Sequence, residues 1–372
     1  MKSKPIIFPV HFSATYKFDK SDDMIDVVQN HTKYLYSRWD NPSVFEAEKT
    51  LAAMEGYEHA VAFGSGMAAI TTSVLSFMKP NSRVVSLREI YGGTFQFLFT
   101  YLPRLGMETV DVSIDTPERF YEEIEKGLTI LYLETPTNPL LRIIDIKPLA
   151  EAAHRQGAIV MLDSTFASPV NQHPIDFGVD VVFHSATKYL GGHHDITGGF
   201  ACCNQEIYDR IWDYRKVYGG VMDPMTAFLA NRGMQTLELR VLRQNENAMK
   251  LAQFLTDHDK IKKVYYPGLA FHPDHETAKR QMKGFGGMLS FEVDSDFDGT
   301  KKFMDSLKTI KLATSLGGVT SLANQPITNT HAALSPEERA KVGLSESLVR
   351  LSVGIEDPKI LMEDIKQALL FV

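Results

Sequence analysis

Short apolar runs that end in small or acidic polar residues recur along the first half of this chain, separated by segments of helical periodicity. His59-Ala-Val-Ala-Phe63 leads into Gly64-Ser-Gly-Met-Ala-Ala-Ile70, which opens a helix, and Arg83 to Leu87 forms a second run. Leu128-Thr-Ile-Leu-Tyr-Leu133 ends in Glu134-Thr-Pro-Thr-Asn-Pro139, Ala158-Ile-Val-Met-Leu in Asp163, and Val181 to Phe183 in His184-Ser-Ala-Thr-Lys188. Runs of this length bounded by turn residues read as buried strands. Between them, Val44 to Met54 places Val44, Ala47, Glu48 and Leu51 on one helical face, with Asn41-Pro42-Ser43 as its start signal. Asp115 to Lys126 and Ile146 to Gln156 are further amphipathic helices. Strands alternating with helices predict a mostly parallel α/β sheet.

The first forty residues show little regular periodicity. From about Asp223 a long helical stretch runs through Leu237, Leu242 and Leu251. A smaller α+β unit follows, with Gly286 to Val293 and Val349 to Val353 as strands and Ile360 to Leu370 as a terminal helix. No internal repeat or low-complexity linker interrupts the pattern.

Length and composition narrow this picture. A chain of 372 residues suits one large and one smaller domain. Its net charge of −7, with no Lys/Arg block, gives nothing that favours nucleic acid or an anionic membrane as a partner. No apolar run approaches the roughly 18 to 20 residues of a membrane span, and Pro5-Ile-Ile-Phe-Pro-Val10 is too short and proline-broken for a signal segment. Cys202 and Cys203 are adjacent and cannot staple the fold in the usual geometry, so a reducing cytoplasm is expected.

The candidate chemistry gathers at strand ends. Lys188, flanked by hydroxyls after an apolar run, is a candidate imine-forming nucleophile if buried, because desolvation frees its amine; an exposed loop lysine is the plain alternative. Asp163 ends the preceding strand, and ligands of open α/β sheets bind outside such carboxyl ends. A pyridoxal 5'-phosphate enzyme needs this pair, a lysine to hold the aldehyde and a carboxylate to keep the pyridine nitrogen protonated. The glycines of Gly64-Ser-Gly66 let backbone N–H groups approach a phosphate at a helix start. The same glycines, with Glu89 beyond the second strand, also satisfy a relaxed dinucleotide pattern, but that reading leaves Lys188 unexplained. Tyr91 could stack on a flat ring or be a half-buried loop residue. Arg350, in an alternating strand, could grip a carboxylate or face solvent. An arginine beside tyrosines in Tyr34-Leu-Tyr-Ser-Arg-Trp-Asp-Asn-Pro42 could bind an anion or make a surface ion pair. His193-His194-Asp195 lacks the i, i+4 spacing of a zincin helix, so no metal is expected.

His184-Ser-Ala-Thr-Lys-Tyr-Leu-Gly-Gly-His-His-Asp195 resembles the lysine signature of the cysteine/methionine-metabolism family of pyridoxal phosphate enzymes, which includes cystathionine γ-synthase and γ-lyase, methionine γ-lyase and O-acetylhomoserine sulfhydrylase. Its other landmarks occur in order from about Tyr36 to Asp357. The resemblance implies a fold-type-I enzyme with a seven-stranded, mostly parallel sheet and a smaller C-terminal α+β domain. It suggests residues 1–44 as an arm contacting a neighbouring subunit, 45–235 as the cofactor domain and 236–372 as the C-terminal domain. Lys188, Asp163 and Tyr91 would be catalytic, and Gly66, Met67, Ser185, Thr187 and Asn138 would help hold pyridoxal phosphate. Tyr36 and Arg38 would reach the phosphate of a neighbouring subunit, so the site would need at least a dimer; a tetramer is expected, although the arm is shorter than usual. Arg350, Ser315 and Asn138 would bind the substrate's α-carboxylate.

Two positions separate this chain from the cystathionine-handling members. An arginine expected two residues past Thr94 is Gln96, and a glutamate before Ser315 is Thr314, so a doubly charged substrate loses partners. Ile196-Thr197 and Ser335-Pro-Glu-Glu-Arg339 look like methionine γ-lyases, whereas the cysteine those lyases often carry is here Gly93. The expected reaction is therefore γ-elimination from methionine or homocysteine, giving 2-oxobutyrate, ammonia and a thiol. The freed lysine would take the Cα proton, and Tyr91, near Arg38, would assist the leaving group. The alternatives are γ-replacement, as in O-acetylhomoserine sulfhydrylase or cystathionine γ-synthase, and cystathionine γ-lyase. A non-enzymatic scaffold would be expected to lose the lysine first.

Overall fold

The structure, a computed structural model, describes residues 3, 5–30, 34–328 and 345–372. Its larger sheet contains β1 (His59–Phe63), β2 (Arg83–Leu87), β3 (Glu108–Val112), β4 (Ile130–Glu134), β5 (Ile159–Asp163), β6 (Val181–Ser185) and β7 (Gly199–Cys203), in the order β1-β7-β6-β5-β4-β2-β3. From β6 to β3 all neighbours are parallel, and every residue of β4 is buried, as expected of strands covered on both faces. β7 enters antiparallel between β6 and β1, because the chain doubles back directly after Lys188 rather than crossing over through a helix. The result is a mostly parallel seven-stranded α/β sheet.

Local signals explain most boundaries. The helix Pro42–Glu55 starts where the Asn41 side chain accepts the Ser43 N–H, and ends at Gly56 in the left-handed region. The helix expected from Asp115 begins only at Glu118, after Pro117, while Asp115 pairs with Arg142. The long stretch from Asp223 is two helices, Pro224–Met234 and Leu237–Thr256, the first capped by Asp223. A helix not anticipated, Ser21–Asn30, lies within the first forty-four residues and buries only Val27, its other positions being exposed.

The second sheet, in the order β10-β11-β12-β9-β8, is built from β8 (Ile261–Tyr265), β9 (Met288–Val293), β10 (Lys311–Leu312), β11 (Leu322–Asn324) and β12 (Leu348–Ser352). β9 starts two residues later than the apolar pattern suggests, because Gly286 holds a left-handed φ of 87° that a strand cannot contain. The helices Leu237–Thr256 and Pro358–Ala368 cover this sheet and bury Leu251, Leu255, Leu361 and Ile365. No helix among the described residues is long and apolar enough to cross a membrane.

A buried ion cluster ties Trp39 and Asp40 to the helix Pro42–Glu55 through Arg215. Arg215, 2% exposed, donates to Glu48 Oε1 at 2.7 Å, to the Trp39 carbonyl at 2.7 Å and to Asp40 Oδ1 at 3.2 Å. Burial pushes the Glu48 carboxyl up to about 7 even with the guanidinium beside it. Arg215→Leu should therefore lower stability by about 3–5 kcal/mol, since it strands a buried carboxylate. Denaturant unfolding would read this, and a loss below about 1 kcal/mol would mean that the cluster contributes no more than a surface pair.

Candidate active site

The carboxyl ends of β4, β5 and β6 open into a cavity of about 710 Å³, closed on one side by the start of the helix Gly66–Phe77 and on the other by β12 and the 314–316 loop. Among the sequence-derived candidates, Gly66, Met67, Tyr91, Asn138, Asp163, Ser185, Thr187, Lys188, Thr314, Ser315 and Arg350 all line it.

Lys188 Nζ donates to Ser315 Oγ at 3.0 Å. Burial first and the Arg350 charge second bring its amine down to about 8, against the opposing pull of Asp163. Asp163 is 9% exposed, and its Oδ1 accepts the Thr165 N–H at 2.9 Å. Burial pushes its carboxyl up, while the Thr165 bonds, His184 and Lys188 pull the other way. Register explains the shared crevice: Glu134 pairs with Asp163 and Asp163 with Phe183, so three strand ends stand side by side.

At the other wall, Arg350 sits in the middle of its sheet, paired to Ser290 and to Asn324. Its Nη1 donates to Asn138 Oδ1 at 3.0 Å and its Nη2 to the Ser315 carbonyl at 3.2 Å, while the buried Nε has no partner among the described residues. Burial lowers its guanidinium to about 10, so it stays charged at neutral pH. Ser315 holds a left-handed φ of 78°, a strained conformation for a serine that presents its hydroxyl to Lys188 and its carbonyl to Arg350.

A third group forms an anion cradle. Ser65 caps the helix Gly66–Phe77 through the Ala68 N–H at 3.0 Å, leaving the first amides and the helix dipole directed at the cavity. The hydroxyls of Ser185 and Thr187 line the same end. A Cβ on Gly66 would stand 3.1 Å from Ser185 Cβ, a tight contact that glycine avoids as its backbone approaches the end of β6. An aldehyde-reactive amine, a buried carboxylate and an anion cradle fit pyridoxal phosphate, whose aldehyde, ring nitrogen and phosphate call for those three groups.

Tyr36, Arg38 and Gln96 do not line the cavity of their own chain. Arg38 stacks on the Tyr36 ring at 5.4 Å and donates to the Lys216 carbonyl. Gln96 is exposed: two helical residues past the buried Thr94 rotate a side chain by about 200°, onto the opposite face. Glu134 lines the cavity and was not among the candidates, although it ends a buried run as Asp163 does. Thr165, Phe166 and Leu316 were also missed, since nothing in local periodicity marks them.

The residues behind the dinucleotide and metal readings are engaged elsewhere. Glu89 accepts the Ser113 hydroxyl at 2.8 Å and the Ile114 N–H at 3.0 Å, which ties the ends of β2 and β3 together rather than facing a ribose. The His193 ring bonds the Gly191 carbonyl at 2.7 Å, and the His194 ring packs over Gly318. No group of three ligating side chains gathers among the described residues. Ser335 to Arg339 lies outside the described residues.

Comparison with known proteins gives a consistent picture. The family pattern described as Cys/Met metabolism PLP-dependent enzyme matches residues 2–370. The chain is 41% identical over 368 residues to the chloroplastic cystathionine γ-synthase 1 of Arabidopsis thaliana, covering 98% of this chain and 65% of the plant protein. It is 38% identical to the L-methionine γ-lyase of Fusobacterium nucleatum subsp. polymorphum, covering 98% of this chain and 93% of that one. The cystathionine γ-synthase of Xanthomonas oryzae pv. oryzae, solved with aminoacrylate and cysteine, superposes with a TM-score of 0.94 at 36% identity, covering 98% of this chain and 93% of that one.

Proposed function

We propose, for a chain that belongs to the Cys/Met metabolism pyridoxal-phosphate-dependent enzymes, that it is a γ-lyase releasing 2-oxobutyrate, ammonia and a thiol from methionine or homocysteine. The observation that carries this reading is the charge of the cavity: among the described lining residues, Lys188 and Arg350 are the only cations. Both are engaged with the amino-acid head of the substrate in this scheme. Among these lining residues a second carboxylate at the substrate's far end finds no further cation, and Thr314 offers no anion for a second amine.

When bound, pyridoxal phosphate supplies the electron sink for the pair left at Cα. Lys188 and Asp163 hold its two ends, and the amides of Gly66 and Met67 with the Ser185 and Thr187 hydroxyls hold its phosphate. Arg350 grips the α-carboxylate, with Asn138 keeping the guanidinium in place and Ser315 at the carboxylate's edge. The Lys188 amine takes the Cα proton; loss of a Cβ proton then supplies the pair that forms the Cβ–Cγ double bond as the Cγ–S bond breaks, the Tyr91 hydroxyl protonates the departing sulfur, and water releases 2-oxobutyrate and ammonia. Tyr36 and Arg38 serve the phosphate of a neighbouring copy in a dimer or tetramer, which accounts for their distance from their own cavity. Two free, buried cysteines suit a reducing cytoplasm.

Gly93 favours a second reading. A Cβ there would stand 2.7 Å from Tyr91 Cε1, so the cysteine associated with methionine γ-lyases would require the Tyr91 ring to shift, and the glycine keeps γ-replacement or cystathionine cleavage as the alternative. The deciding assay follows 2-oxobutyrate from L-methionine, L-homocysteine, L-cystathionine and O-acetyl-L-homoserine, with and without sulfide. Rapid release from methionine, unaffected by sulfide, is expected. Release confined to O-acetylhomoserine and diverted by sulfide into homocysteine would replace the lyase with a sulfhydrylase.

A further inference from the structure

Glu134 and Asp163 end neighbouring parallel strands in register, so their carboxyls leave the same face of the sheet about 4.8 Å apart at the backbone. Both line the cavity, and Glu134 is only 4% exposed. Two buried carboxylates this close cannot both ionise without compensation. Compensation is unequal. Asp163 receives the Thr165 N–H and hydroxyl and feels the charges of His184 and Lys188. Among the described residues Glu134 has a single donor, the Tyr91 N–H at 2.7 Å from its Oε2, and no cation bonded to it. The remaining titratable neighbours are Tyr132, on the same face of β4, and Tyr91 itself, with Arg350 across the cavity.

We propose that Glu134 is kept as a neutral carboxylic acid whose oxygen anchors the backbone of Tyr91 over the cavity, leaving Asp163 as the one carboxylate facing the cofactor. This rests on the proposed reading of Asp163 and Tyr91. Glu134 is a positioning residue: its Oε2 fixes the start of the helix Gly92–Gln96 and with it the tyrosine. Burial first and the Asp163 charge second push its carboxyl well above the usual range, which agrees with the geometry. A negative charge at Glu134 would compete with Asp163 for the same proton, so neutrality keeps the two roles apart.

The isosteric amide separates charge from shape. Glu134→Gln should keep kcat/KM and pyridoxal phosphate affinity within about threefold of the parent, because the anchoring oxygen and the neutral state both persist. Glu134→Ala should lose about tenfold or more in kcat, with KM little changed, for want of one hydrogen bond holding Tyr91. In a Tyr91→Phe background the alanine change should cost nothing further, since its effect runs through Tyr91. Melting supplies a readout independent of turnover. A carboxyl raised on folding contributes its full stability below about pH 4.5, its ordinary value, and loses it as the pH climbs toward the folded value. Full-length Glu134→Gln should therefore melt above the parent at pH 7.5, with the gap closing toward pH 4.5.

If the glutamine variant loses activity and cofactor affinity as the alanine variant does, the charge is what matters and the proposal fails. It fails equally if the alanine penalty persists undiminished with Tyr91→Phe. Should Glu134→Ala not fold, the glutamine variant and its melting profile still decide. Rates are read on whichever substrate the parent turns over, so an error in the methionine assignment shows in the parent alone, and an error here shows in the variants alone.

Discussion

Lys188→Ala should abolish turnover, by at least about 10³-fold, within the range that a positioned proton-transfer group supplies. The same change should leave pyridoxal phosphate reversibly bound: borohydride, which fixes the parent's yellow chromophore to the chain at residue 188, should leave none attached to the variant. Near-normal activity in Lys188→Ala would remove the proposed mechanism altogether. The environment of the amine adds a dependence on pH. With its value lowered to about 8, roughly a tenth of the amine is neutral at pH 7, against less than a thousandth for an ordinary lysine. Capture of pyridoxal phosphate by the cofactor-free protein should thus rise about tenfold per pH unit up to pH 8 and level off above it. A profile still rising at pH 10 would show that burial does not free this lysine.

Arg350→Ala should cost about 2–5 kcal/mol in kcat/KM, on the order of 30- to 5000-fold, because it removes the charged partner of the substrate's α-carboxylate from a buried site. Most of the loss should appear in KM. Arg350→Lys should not restore it, since a single ammonium cannot keep the Asn138 and Ser315 contacts and also present a fork to a carboxylate. A substrate analogue without the carboxylate supplies the control: its turnover, however slow, should be the same in parent and variant. Equal losses for both compounds would assign Arg350 a structural part, holding Asn138, rather than a binding one. Removing Arg350 also withdraws one of the two influences that lower the Lys188 amine, so the capture profile should move to higher pH.

The contrast between Asp163 and Gln96 shows what kind of statement each level can make. Asp163 closes an apolar run, and a carboxylate at the carboxyl end of a buried parallel strand has only the crevice to face. Gln96 sits at a family landmark, but its direction depends on the phase of the helix Gly92–Gln96 and on the π-helical turn Phe97–Tyr101 that follows. Landmarks carry identity across relatives; helical phase decides whether a side chain arrives.

Read alone, the chain already determined its alternation of buried strands and amphipathic helices, the two sheets, and Lys188, Asp163 and Arg350 as the residues at issue. The alternation and the strand-end places of Asp163 and Lys188 follow from period and run ends, local properties that burial imposes directly, whereas choosing Lys188 and Arg350 over an exposed loop lysine and a solvent-facing arginine rests on the family resemblance of their motifs. Tertiary structure alone decided that β7 returns antiparallel beside β6, that Arg350 meets Asn138 across 212 residues of chain, and that Glu134 stands beside Asp163. Those pairings depend on strand order and register, which are chosen by the packing of whole elements against one another, and no window of sequence contains both partners.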